Sequence, residues 1–158
     1  MFRSPRLRGA AIVTVAGCVL ICTAAGATGA TGGRKTSGIA YVAVTHQVGS
    51  TLFAAGNVTD KVLGKGAITY LIKAGIGAKP GTLNVKATVT VYGSLGSLSG
   101  VVKGVETTQS DGTVTVAGTF NLNHGTGGYT GHRFSGTVTG TGKSAIGPFV
   151  FHDKGVYR

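Results

Sequence analysis

The chain is short of several things at once. Of its 158 residues only four are acidic, two are cysteine and three are proline, and tryptophan is absent. Both cysteines, Cys18 and Cys22, fall within the first 27 residues, a stretch that reads as a cleaved leader. The mature chain then carries no thiol, which excludes disulfides, thiolate metal centres and cysteine nucleophiles. Asp60, Glu106, Asp111 and Asp153 are the whole acidic complement. Paired-carboxylate glycoside chemistry therefore has few candidates, and Asp111 is already accounted for as a turn former. The histidines His46, His124, His132 and His152 show no i, i+2 or i, i+4 spacing, so no compact metal motif exists. A site assembled across strands, for instance His132 with His152 and Asp153, is left open. No G-x-S-x-G elbow is present either, since Gly96-Ser97-Leu98-Ser99-Gly100 has leucine where the nucleophile would stand. No metal and no cofactor is expected.

The N-terminus has what a secretory leader needs. Arg3, Arg6 and Arg8 precede an uncharged run from Gly9 to Ala25, and Ala25-Gly26-Ala27 fits the small-residue rule for signal peptidase. The run is short and rich in Gly and Ala for a bilayer core of roughly 30 Å. Residues 1–27 are therefore read as a signal peptide cleaved after Ala27, leaving no transmembrane span and a secreted or envelope-associated product. Val15-Ala16-Gly17-Cys18 resembles a lipobox, but lipidation at Cys18 would leave Val19-Leu20-Ile21-Cys22 where a polar tether is usual. Cys18 is read as an ordinary residue of the apolar run. Residues 28–37, a Gly/Thr/Ser segment with Arg34-Lys35, are read as a flexible tether. Residues 38–158 are left as one domain.

Beyond the leader, twelve Lys and Arg face four acids. Such a surface attracts polyanions, including acidic envelope polymers. The basic residues are scattered singly, with no run longer than Arg34-Lys35. Nucleic-acid binders concentrate charge in a stripe interleaved with aromatics, so no specific nucleic-acid partner is expected.

What the mature chain does have is alternation. Leu83, Val85, Ala87, Val89 and Val91 alternate with polar residues, as do Val114, Val116, Gly118, Phe120 and Leu122, and then Phe134, Gly136 and Val138. A period of two puts each set on one sheet face. Less regular strands are predicted at Ile39–His46, Thr51–Val58, Ala67–Lys73, Leu98–Thr107 and Phe149–Val156. Glycine-bearing turns separate them. Asp111-Gly112 between two alternating runs predicts a hairpin, for which a type I′ turn needs positive φ at both central residues. Eight short strands without a helix predict an all-β fold, an eight-stranded antiparallel β-barrel.

The stretch Gly136 to Ser144 ends in Gly140-Thr141-Gly142-Lys143-Ser144, like the tail of a phosphate-binding loop. The required first glycine would be residue 137, which is Thr137, and Pro148 and a strand follow instead of a helix. The stretch is read as a hairpin.

The segment His124-Gly125-Thr126-Gly127-Gly128-Tyr129-Thr130-Gly131 closely follows the Asp111-Gly112 hairpin and resembles the glycine-rich loops of the allene oxide cyclase and dirigent barrels. The runs from Lys86 to Gly93 and Gly96 to Gly100, and the ending from Phe149 to Tyr157, are similar to strands of the cyclases. The resemblance spans roughly Lys65 to Tyr157 and implies an eight-stranded barrel around an apolar cavity. It does not carry cyclase chemistry. The first strand, Ile39 to His46, lacks the cyclase carboxylate and asparagine, and of the two dirigent arginines the first position holds Thr130 and only Arg133 matches. Alternation with Phe134 points Arg133 away from the core.

The expected function is binding a small hydrophobic molecule, or steering its conformation, without a cofactor. Val85, Val89, Val116, Phe120, Phe134 and Val138 are the candidate cavity lining, with Tyr129 and Arg133 as polar groups at the rim. The small residues Ala87, Gly118 and Gly136 leave two interiors open: one filled by Phe120 and Phe134, or one hollow enough for a ligand. The alternative function is a non-catalytic envelope protein held electrostatically on anionic polymers.

Overall fold

The computed structural model describes residues Gly32–Arg158; the expected leader, its expected cleavage site after Ala27 and Cys18 lie outside the described residues. Eight strands follow in chain order: β1 (Arg34–Val48), β2 (Thr51–Asp60), β3 (Gly64–Ile76), β4 (Thr82–Gly93), β5 (Gly96–Thr108), β6 (Val114–Gly125), β7 (Phe134–Gly142) and β8 (Phe149–Tyr157). Each pairs antiparallel with its sequence neighbour, and β1 pairs with β8, so the sheet closes into a barrel. Closure leaves no unpaired edge, which suits a chain rich in Thr and Val. Among the described residues the one helical element is a single 3₁₀ turn, Gly127–Tyr129.

The predicted parity holds. Ala87, Val89 and Val91 of β4, Val114, Phe120 and Leu122 of β6, and Phe134 and Val138 of β7 are all buried. All twelve Lys and Arg from Arg34 onward are exposed. Two register shifts re-aim strands: Thr45 is extra in β1 between the pairs Val44↔Ala54 and His46↔Phe53, and Asn123 is extra in β6 opposite Ser99 and Gly100. The first turns His46 outward, where its ring stacks on Phe53 at 4.2 Å.

Two sequence expectations change. β1 begins at Arg34, so the last four residues of the stretch read as a tether are strand, held by pairing from Arg34↔Tyr157 to Ser37↔Lys154. The Asp111-Gly112 turn is not type I′, because Asp111 does not have the positive φ that turn requires. Instead the Gly112 N–H donates to Gln109 O at 3.0 Å, Gly112 takes φ 83°, and the Asp111 carboxylate accepts from Thr113 N–H at 2.9 Å. This is a turn with one left-handed glycine followed by the returning strand, the usual longer hairpin. Arg133, matched in the resemblance to a dirigent arginine, is exposed, as its alternation with buried Phe134 predicts, and its backbone pairs with Arg158 through two 2.8 Å hydrogen bonds at the end of the barrel.

Candidate functional site

In an up-and-down barrel the hairpins alternate between ends, and the two ends here differ. At one end the β2–β3, β4–β5 and β6–β7 connections make a plug. Leu98 is fully buried, Leu63 is buried, and Tyr129 is only 4 % exposed. The Tyr129 hydroxyl donates to Leu63 O at 3.4 Å. The glycine-rich loop folds over the β4–β5 turn, with Gly128 N–H donating to Leu95 O at 2.7 Å and Thr126 N–H to Ser97 O at 2.8 Å. Tyr129 therefore belongs to the floor of the barrel, not to a rim.

Just inside that floor the barrel is filled. Phe120 and Phe134 meet edge to face with centroids 4.6 Å apart, the preferred geometry of an aromatic pair. Their rings have room because Gly155 of β8 lies beside them: a Cβ there would stand 2.6 Å from Phe134 Cε2 and 3.0 Å from Phe120 Cζ. What remains is an inner chamber of about 50 Å³, bordered by Val89, Phe120, Phe134 and Val138 and by the polar groups of Asp60, Tyr70 and Asp153.

Towards the other end the interior opens into an outer chamber of about 340 Å³. Val42, Val85, Ala87, Val116, Ile72 and Phe149 form much of its wall. Tyr70, Val102, Val138 and Phe151 border both chambers and so form the waist between them. Ala145 and Ile146 of the β7–β8 loop lie over the mouth. The rim itself is apolar and uncovered: Ile76 is 92 % exposed, and Val48, Leu83 and Ile146 are exposed with it.

The two interiors left open by the sequence are thus halves of one barrel. All six predicted lining residues face inward: Val85 and Val116 the outer chamber, Val89, Phe120 and Phe134 the inner, and Val138 both. The three small residues have separate tasks. Ala87 lines the hollow, whereas a Cβ at Gly118 or Gly136 would collide with the backbone of the neighbouring strand.

Period-two reading of the apolar residues missed the polar groups inside. Three of the four acids point inward: Asp60 and Asp153 border the inner chamber and Glu106 the outer one. Asp60, 4 % exposed, is fully engaged. It accepts from the Thr36 hydroxyl at 2.7 Å and from the N–H groups of Val62 and Leu63 at 2.6 and 2.7 Å, which shapes the β2–β3 turn. Asp153 differs, because its buried Oδ2 has no hydrogen-bond partner. Burial first, and then the nearby Asp60 charge, push the Asp153 carboxyl up to about 6. Burial likewise raises Glu106 above the usual carboxylate range. Tyr70 is held well above the ordinary phenol range by burial and by the Asp153 charge, so it stays a neutral hydroxyl.

The raised Asp153 carboxyl links pH to stability. A carboxyl that binds its proton more tightly when folded contributes most below its unfolded value near 4, and that contribution is lost as pH rises through about 6. Asp153→Asn should leave stability at pH 4 unchanged and raise it at pH 8 by on the order of 1–2 kcal/mol, after discounting for partial solvent screening. Urea denaturation at the two pH values checks the sign.

Among the described residues no three His, Cys, Asp or Glu side chains gather to hold a metal ion. His152 faces outward while its neighbour Asp153 faces in. His132 stacks on Tyr157 at 4.9 Å, so the cross-strand grouping with His152 and Asp153 does not form. The Gly142-Lys143-Ser144 segment is the exit from β7 into a loop, with no helix to receive a phosphate. Compared with known proteins, the chain matches no family model, no curated protein and no solved structure.

Proposed function

We propose that the protein binds a small apolar molecule inside the barrel, entering through the end ringed by Val48, Ile76, Leu83 and Ile146. The observation that carries this reading is the outer chamber. At about 340 Å³ it lies within the range of small-molecule sites, with an apolar wall and only a few polar groups. An eight-stranded barrel is just wide enough to be closed by side chains. Here Phe120 and Phe134 close the inner half, while Ala87 and Val85 leave the outer half open. The role is that of a cofactor-free holder for its ligand, in keeping with the hollow cyclase and dirigent barrels that the sequence resembles. Calorimetric titration with octanol tests it: one saturable site per chain is expected, and no heat beyond dilution would defeat the reading.

A second reading concerns the exterior, and it is favoured by the outward position of all twelve cationic side chains. They suit the barrel for retention on anionic envelope polymers. Retention on a phosphate-bearing matrix should be lost at about 1 M salt, where screening acts within roughly 3 Å. Retention that ignores salt would contradict it.

A further inference from the structure

The inner chamber has an unusual balance of charge. Every lysine and arginine of the described chain is outside, while Asp60 and Asp153 are inside with no cation facing them. The closed register explains how two residues so far apart in sequence meet. Gly38 of β1 pairs with Asp60 on β2 and with Asp153 on β8. The two carboxylates therefore stand on either side of one glycine, on the same inner face. A Cβ at position 38 would lie 2.6 Å from Asp153 Oδ1 and 3.2 Å from Asp60 Cβ. The missing side chain is thus what keeps the space between the acids open.

One buried side-chain oxygen in this chamber lacks a partner within the protein: Asp153 Oδ2, which makes no hydrogen bond. Tyr70 stands at the waist beside it and borders both chambers. Asp60 has its own three hydrogen bonds and supplies charge rather than a free acceptor. A buried carboxylate oxygen left unpaired is costly unless a donor or a cation meets it.

We propose that Asp153, flanked by Tyr70, receives the ammonium head of an amine-bearing apolar ligand whose hydrocarbon body fills the outer chamber. This rests on the reading that the barrel binds an apolar molecule, and it names the chemical class. A protonated amine supplies both the donors and the positive charge that the inner chamber lacks. The inner chamber, at about 50 Å³, admits only a small head. A carboxylate head would meet two negative charges and is disfavoured. An alcohol supplies one donor and no charge, so it binds more weakly.

The pH dependence follows from the groups around Asp153. Asp60 of β2 and Tyr70 of β3 face it across the chamber, and His152, next to it on β8, acts from the outer side. Gly38 of β1 and Val138 of β7, its partners in register, carry no charge. Deprotonation of Asp153 near pH 6 therefore sets the onset of preference for an amine.

The test is calorimetric titration of the full mature chain with octylamine, octanol and octanoate at pH 8 and pH 5, and of Asp153→Asn at pH 8. The expected result at pH 8 is octylamine at least about tenfold tighter than octanol, with octanoate weakest. The amine-to-alcohol ratio should fall several-fold at pH 5 and approach one in Asp153→Asn. Because the wild-type ratio at two pH values stands without the variant, a poorly folding variant does not remove the test. Equal binding of all three probes, or a ratio unchanged by pH, would overturn the amine assignment and leave the apolar-ligand reading in place. Failure of every probe to bind would overturn both.

Discussion

Gly136→Ala should destabilise the barrel by on the order of 3 kcal/mol, although it adds one methyl group. Gly136 of β7 faces inward between Phe120 of β6 and Gly155 of β8. Its added Cβ would run into the Lys154 carbonyl oxygen and stand 2.6 Å from the Gly155 Cα. Both obstacles are backbone, so no side-chain rotation relieves them. The neighbouring strand must move outward, and it is the strand that closes the barrel against β1. Moving β8 also disturbs the contact between Phe120 and Phe134, since their rings occupy the space beside Gly155. Overpacking of a filled core costs roughly 1–3 kcal/mol, and strain on the closing seam puts this case at the upper end. Gly75 is the internal control. It lies in β3 with nothing within 4 Å of a would-be Cβ, so Gly75→Ala should change stability by less than about 0.5 kcal/mol or raise it slightly. Urea midpoints of the two variants give the comparison.

Ala87→Phe should weaken ligand binding strongly while preserving the barrel. Ala87 is buried on the inner face of β4, opposite Ile72 and Val102 and against the outer chamber. A benzyl group there projects into the middle of the outer chamber without meeting a packed wall. Stability should stay within about 1 kcal/mol of the parent, because the ring enters a hollow and buries apolar surface. Affinity for octanol should fall on the order of a hundredfold, about 2.7 kcal/mol. The same substitution in a filled barrel would do the reverse, collapsing the fold with no binding to lose. The pair of readouts therefore separates a hollow interior from a filled one.

Much of this architecture was legible in the chain because a half-buried strand declares itself by alternation. The run from Leu83 to Val91 states both that β4 exists and which side faces in, and Phe120, Phe134 and Val138 were placed inside on the same logic. Strand ends were harder. Arg34, Lys35, Thr36 and Ser37 have the composition of a linker, and only their pairing with β8, with Thr36 donating to Asp60, makes them strand. The Asp111-Gly112 pair announced a hairpin but not its length.

The polar interior was legible in part and overlooked. Phe149, Phe151 and Asp153 share one parity, as do Ala54, Val58 and Asp60, so each acid could have been placed inward from its own strand. Their meeting could not. It depends on the closing register of β1 with β8, which puts Gly38 between two residues with no local relation. The loop resemblance suggests a rim position for Tyr129 and Arg133, whereas the connectivity puts that loop at the plugged end.

The central claim is that the outer half of this barrel is a site and not merely a gap. Methyl-resolved NMR of the Val, Leu and Ile residues during an octanol titration tests it most directly. Saturable shifts are expected at Val42, Ile72, Val85 and Val116, which line the chamber, with Val101 and Val105 on the outer face of β5 unmoved. Shifts confined to the outer face, or none at saturating octanol, would contradict it.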